Sequence, residues 1–272
     1  MGFGAVLMKR VILGALDYGV SFGVDRTLRE LLANARLSAV GCLPASPLWS
    51  REFKPMQEVA SEVDDRALVG VTLAFSGDRV HPVSKRMQST YGLYMPSSSK
   101  WARRAFFRML PDEVLEAEAF AQLERYSQLM EREPDFVAVR DGLLAHGPVA
   151  KLVIKAIQSQ NYETPPALLS PDMSRPVEKC LQKLGRKAGL RVFSKGPSLP
   201  PVKDPGVLQQ KMKSHFNGLQ DMSFVTSIPG KADDRLRREE PREKIAIREC
   251  QREVLSSNQF FQTLVEKDIY LN

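Results

Sequence analysis

The strongest constraint in this sequence is an alternation of two periodicities. Three short apolar runs rich in β-branched residues lie at 11–16 (VILGAL), 38–43 (SAVGCL) and 68–75 (LVGVTLAF). Runs of that length and character fit strands buried on both faces. Between them lie stretches of helical spacing: residues 26–34, with Leu28, Leu31 and Leu32 on one face and Asp25 as the expected N-cap, and the polar segment 58–65. The order β-α-β-α-β predicts parallel strands joined by crossover helices. The first run ends at Asp17-Tyr18-Gly19, where a strand gives way to a loop.

The same alternation continues less regularly. Residues 76–111 are rich in Ser, Pro and basic side chains and read as an excursion from the sheet. Residues 113–133 form the longest helical stretch, with Val114, Ala117, Phe120, Leu123 and Tyr126 as its expected apolar face. A strand is predicted at 136–139, a helix at 149–157, a late strand at 223–227, and a terminal pair of helices at 239–255 and 259–267. Residues 163–205 read as irregular, apart from one basic helix near 176–188 carrying Lys179, Lys183, Arg186 and Lys187.

Composition narrows the function classes. A chain of 272 residues with 43% hydrophobic residues supports a large core, and 26% charged residues is ordinary for a globular protein. The net charge of +7 is a weak signal for an acidic partner. Cys42, Cys180 and Cys250 are odd in number and widely spaced, with no zinc pattern, which points to a reduced, cytoplasmic setting. No apolar run reaches the roughly 18 residues of a membrane span, so no membrane partner is expected. The apolar N-terminus is split by Lys9 and Arg10 and lacks the order of a secretory signal.

Four stretches then carry a resemblance. Residues 8–26, MKRVILGALDYGVSFGVDR, resemble K-x-x-I-x-N-A-D-D-F-G-x-S-x-G-V-N-x-G, and 69–75, VGVTLAF, resembles V-G-L-H-L-T-L. Residues 118–149 resemble a helix E-x-x-A-Q followed by P-T-H-I-D-G-H-Q-H-V-H and L-P-G-V; here the helix reads EAFAQLERYSQLMEREP and the close HGPV. Residues 226–253 resemble H-P-G-x-x-D followed by R-x-x-E-x-x-L, reading SIPGKADD and IRECQREVL, and TYGLYMP near residue 92 fits a short G-x-F segment. These patterns are similar to the YdjC-like (ChbG/HpnK) carbohydrate deacetylases. The resemblance implies an α/β fold, a distorted (β/α) TIM-like barrel over residues 8–272 as one domain, with 76–111 and 163–215 as excursions or irregular segments. It places the site at the C-terminal ends of the strands. Residues 1–7 precede the resemblance and are expected to be dispensable.

The family reaction uses a divalent metal such as Mg or Zn to polarise an acetyl carbonyl and activate water, with a carboxylate as base. At the matching positions this chain has Leu16 in place of the base and Asp17 as the one retained ligand. Thr72 and Ile228 replace histidines, and Arg140, Asp141, Gly142, Leu143 and Leu144 replace the H-Q-H-V-H cluster. One carboxylate is too few donors for a tight site, so no cofactor is expected. Arg140 is expected to pair with Asp17 in the metal's stead. Asp17, Asp141 and His146 are weak catalytic candidates for a reorganised, working deacetylase.

The leading reading is a divergent homologue that has lost metal-dependent hydrolysis and keeps a cleft for a sugar or other small ligand. A third reading is a basic interaction module that holds an anionic partner through residues 84–108 and 175–215. Within the first of these, KWARRAFFR at 100–108 interleaves aromatic and cationic residues, as in binders of nucleic acid or acidic polysaccharide. It also reads as an amphipathic helix with Trp101, Ala105 and Phe106 facing the core.

Overall fold

The computed structural model describes residues 9–271. In chain order the elements are β1 (Lys9–Tyr18), α1 (Phe22–Ala33), β2 (Ala39–Cys42), α2 (Trp49–Val63), β3 (Leu68–Leu73), α3 (Lys85–Tyr91), α4 (Ser98–Phe106), α5 (Asp112–Met130), β4 (Phe136–Val139) and α6 (Gly147–Gln158). There follow β5 (Ala167–Leu169), α7 (Arg175–Lys187), β6 (Val192–Phe193), α8 (Pro205–His215), β7 (Ser223–Ser227), α9 (Asp234–Glu239), α10 (Arg242–Ser256), α11 (Asn258–Glu266) and β8 (Ile269–Leu271).

All strand pairs are parallel, in the order β6-β5-β4-β3-β2-β1-β7, with β8 added beside the start of β1. The sheet curls until its two ends nearly meet. A parallel bridge joins Lys195 to Phe224, and hydrogen bonds run from Phe224 N–H to the Ser194 carbonyl at 2.9 Å and from Gly196 N–H to the Phe224 carbonyl at 2.8 Å. The result is a (β/α) barrel with helices outside.

Two apolar layers follow from the alternation of side chains along each strand. Ile12, Ala39, Phe136, Ala138, Ala167, Leu169, Phe193 and Phe224 form one buried cluster drawn from six strands, which fills the barrel interior. Their neighbours, including Val11, Leu13, Val40, Val69, Val71 and Val137, pack with the helices in the larger cluster. Interior space is short, and Gly14 shows why: a Cβ there would lie 2.4 Å from the Phe224 ring.

Several sequence expectations shift. The first helix begins at Phe22 and is capped by Ser21, whose side chain accepts from Val24 N–H. Asp25 lies inside that helix, fully buried, and accepts the Gly19 N–H at 2.6 Å. It turns inward because the loop after β1 leaves that donor facing it. The longest helix, α5, buries Leu115, Glu118, Ala119, Gln122, Leu123, Tyr126 and Met130, so its buried face is rotated from the expected one. Buried Gln122 accepts Ala74 N–H at 3.0 Å and donates to the Ala74 carbonyl at 2.7 Å, so polar residues occupy part of that face. Residues 163–205 supply two barrel strands as well as α7. The expected extension 1–7 lies outside the described residues.

Gly14→Ala should destabilise the protein by about 1–3 kcal/mol, as overpacking of a tight core does. Denaturant unfolding checks this; an unchanged midpoint would mean that Phe224 moves aside freely.

Candidate functional site

β1 delivers the first site residues through an irregularity. Its pairing with β2 runs Gly14–Ala39, Ala15–Val40 and then Tyr18–Cys42, so three steps along β1 match two along β2. Such a bulge breaks the in-out alternation of a strand. Consecutive Leu16 and Asp17 therefore both line one cavity. Gly41 of β2 keeps the floor low: a Cβ there would meet Thr72 Oγ1 at 2.3 Å and Leu16 at 3.0 Å.

The cavity holds about 370 Å³ and opens at the C-terminal ends of the strands. Thr72 comes from β3, Val139 to Gly142 from the end of β4, Leu169 to Asp172 from β5, Lys195 from beyond β6, and Thr226 to Ile228 from β7. Lys244 reaches in from α10. Apolar walls carrying a few polar groups suit a small polar ligand. Thr72 Oγ1 is buried in the floor with no hydrogen-bond partner among the described residues.

Beside this cavity lies an ion cluster. Arg248 of α10 is fully buried, and its Nη2 lies 2.7 Å from Asp17 Oδ2. Its Nε and Nη2 donate to the two carboxylate oxygens of Glu240 at 2.7 and 2.9 Å, and Nη1 donates to the Ile228 carbonyl at 3.3 Å. Glu240 is buried and also pairs with Lys244 at 2.7 Å. One guanidinium fork thus joins a carboxylate of β1, the end of α9 and the loop after β7.

The electrostatics follow from this packing. Burial alone would raise the Asp17 pKa, but the charges of Arg248, Arg140 and Lys244 and the Arg248 hydrogen bond overcome it. The outcome is a pKa lowered from 3.8 to about 2. Burial also opposes ionisation of Glu240, and its bonds to Arg248 and Lys244 again lower the pKa. Burial opposes the charge on Arg248, and its two carboxylate partners raise its pKa.

The expected pairing of Asp17 with Arg140 is corrected here: the carboxylate is held by Arg248. In the strand order β4 is separated from β1 by β2 and β3, so Arg140 faces Asp17 from across the cavity. Its charge is felt, but it makes no ion pair with Asp17 among the described residues. Asp141 lines the rim, accepts from Ser76 Oγ at 2.5 Å, and has a left-handed backbone at φ 57°, as does Gly142 at φ 66°. His146 is half-buried at the start of α6 and is not part of the cavity lining. The structure therefore gathers Asp17, Asp141, Thr72, Gly142, Ile228 and Arg140 round one cavity and leaves His146 outside.

The residues present do not fit the family metal. Among the described residues no three of His, Cys, Asp and Glu converge into a ligand set. Asp17 also has one oxygen committed to a guanidinium. Arg248 itself was missed by sequence reading as a site residue. The available signal was a cation three residues from Ile245 and three from Gln251, both buried on α10. A charge on a buried helix face requires a partner.

One solved structure shares this architecture. A protein from Enterococcus faecalis V583, described as a proposed cellobiose-phosphate cleavage protein, superposes with a TM-score of 0.76 at 16% identity, covering 97% of each chain. A mutant CE4-family pseudoenzyme with restored enzymatic activity superposes with a TM-score of 0.43 at 11% identity, covering 97% of this chain and 65% of the other. No curated protein matches the sequence.

Removing Arg248 should be costly because it leaves the half-buried Asp17 carboxylate without its ion-pair partner and buried Glu240 with only Lys244 and Arg79. We expect Arg248→Met to destabilise by roughly 3–5 kcal/mol, and Arg248→Met with Asp17→Asn to cost less than the sum of the single changes. The folded pKa of Asp17 lies below its unfolded value. Its stabilising contribution, about 2 kcal/mol, is therefore complete above the ordinary value of 3.8 and is lost as pH falls through about 2. Acid unfolding of wild type and Asp17→Asn should diverge within that window; coincident curves would refute the assignment.

The model of the YdjC-like protein family matches residues 10–266, nearly the whole chain, and the chain belongs to that family.

Proposed function

We propose that this YdjC-like protein binds a carbohydrate or similar polar ligand in the barrel cavity and does not carry out metal-dependent deacetylation. The observation that carries this reading is the Arg248 guanidinium bonded to Asp17 and Glu240. A fixed positive charge at the one retained ligand position opposes the entry of a divalent cation. Leu16 offers no proton acceptor where the family places its base, and Thr72 and Ile228 offer no imidazole.

What the cavity keeps is suited to recognition. Thr72, Ser170, Thr226 and Ser227 present hydroxyl-bearing side chains, while Leu16, Val139 and Ile228 supply apolar wall. Arg140 and Lys195 add donors from the far side. Such a mixture suits the alternating polar and apolar surface of a sugar ring. The neighbour from Enterococcus faecalis V583 is named for a sugar phosphate, which is compatible with a sugar-sized ligand.

Purified protein should carry no stoichiometric divalent metal by elemental analysis. Zinc, magnesium, manganese and cobalt should leave its melting temperature unchanged, since a ligand that prefers the folded state must raise it. A clear shift at micromolar metal, with release of acetate from N-acetylated chitooligosaccharides, would restore the enzyme reading.

A further inference from the structure

The charge of this chain is concentrated in one segment. Residues 79–111 contain Arg79, Lys85, Arg86, Lys100, Arg103, Arg104 and Arg108 and no Asp or Glu. Removing these seven cations from the 39 in the chain leaves 32, which equals the 32 acidic residues, so the whole net charge of +7 arises here. Arg79 and Arg86 are paired with Glu239 and Glu113. Lys100, Arg103, Arg104 and Arg108, on α4 and the turn after it, make no ion pair among the described residues.

The same turn exposes apolar side chains. Phe106 is 79% exposed, Phe107 62% and Met109 70%, and Leu93 and Tyr94 ahead of α4 are exposed as well. This corrects the expected inward face of α4: Trp101 and Ala105 are buried, with Trp101 Nε1 donating to the Phe75 carbonyl at 2.6 Å, but Phe106 points outward. The helix ends at Phe106, and Arg108 takes a left-handed backbone at φ 55°. Phe106, Phe107 and Met109 stay on the outside of this turn, and Leu110 then returns to pack on the core. The two phenylalanine rings pack edge to face against each other, 5.1 Å apart.

We propose that this turn docks the protein onto an anionic lipid surface. Phenylalanine and methionine side chains enter the boundary between headgroups and acyl chains, while the flanking arginines and Lys100 meet the lipid phosphates. This is adsorption on a membrane surface and not a span; no described helix is long and apolar enough to cross one. A second copy of the chain is a poor occupant, since a two-fold contact would bring the same cations face to face. A purely polyanionic partner gains nothing from Met109 and Leu93, which offer no ring for stacking. Because α4 packs against the turn 140–145 that edges the cavity, docking would hold the cavity mouth near the bilayer.

The test is co-sedimentation of the full chain with vesicles of phosphatidylcholine alone or with about one-third phosphatidylglycerol, at low and high salt. Binding is expected with the anionic vesicles only, weakened by salt. It should fall roughly tenfold or more in the variant Phe106→Ser, Phe107→Ser, Met109→Ser, and equally in Lys100→Gln, Arg103→Gln, Arg108→Gln, whose side chains are exposed. The melting temperature of the first variant should match wild type, because its three side chains are exposed. Failure to bind anionic vesicles overturns the proposal. So does binding that ignores the apolar triple change, or tighter binding to heparin or single-stranded nucleic acid that does so.

Discussion

The site of this protein is organised around one buried guanidinium. Arg248 reaches from α10 to Asp17 at the end of β1 and to Glu240 at the end of α9, and it also holds the Ile228 carbonyl after β7. Its own carbonyl accepts from Gly230 N–H at 3.2 Å, so side chain and backbone fix the same loop. A buried charge is tolerated only when nearly all of its bonding capacity is met. Here that requirement ties the end of β1 to the segment from Ile228 to Arg248 at the mouth of the barrel.

The cavity beside this cluster depends on backbone features more than on polar side chains. The β1 bulge turns Leu16 and Asp17 together toward the opening, and Gly41 lets Thr72 and Leu16 settle into the floor. The protein thus has the barrel of the YdjC-like family, with a charge-paired cluster of Asp17, Glu240 and Arg248 beside its cavity. The ligand binding we propose would use the hydroxyls and apolar wall of this cleft.

Much of the barrel was legible because its longer strands announce themselves. β1, β3, β4 and β7 coincide with apolar runs, and the crossover helices between β1 and β3 follow from the spacing of Leu28, Leu31 and Leu32 and the polar segment after it. β5, β6 and β8 were hidden, since two or three residues are too few to show a period. Asp25 looked like a cap because acidic residues favour helix starts, yet Ser21 performs that role and Asp25 satisfies Gly19 instead. The lost ligands could be read at Thr72 and Ile228 directly. The partner of Asp17 could not, because motif spacing fixes position along a strand and says little about which side chain arrives from a helix 231 residues away. Phe106 was misplaced for a related reason: helical periodicity assumes that the helix continues, and α4 stops there.

The proposed reading requires that Arg248 keep Asp17 ionised. The most direct measurement is the titration of the Asp17 carboxyl carbon by NMR in isotopically labelled protein, in wild type and Arg248→Met. The account predicts a wild-type pKa of about 2 that rises in the variant, where burial is opposed by fewer charges. A wild-type value near the ordinary 3.8, or one unmoved by loss of Arg248, would contradict it.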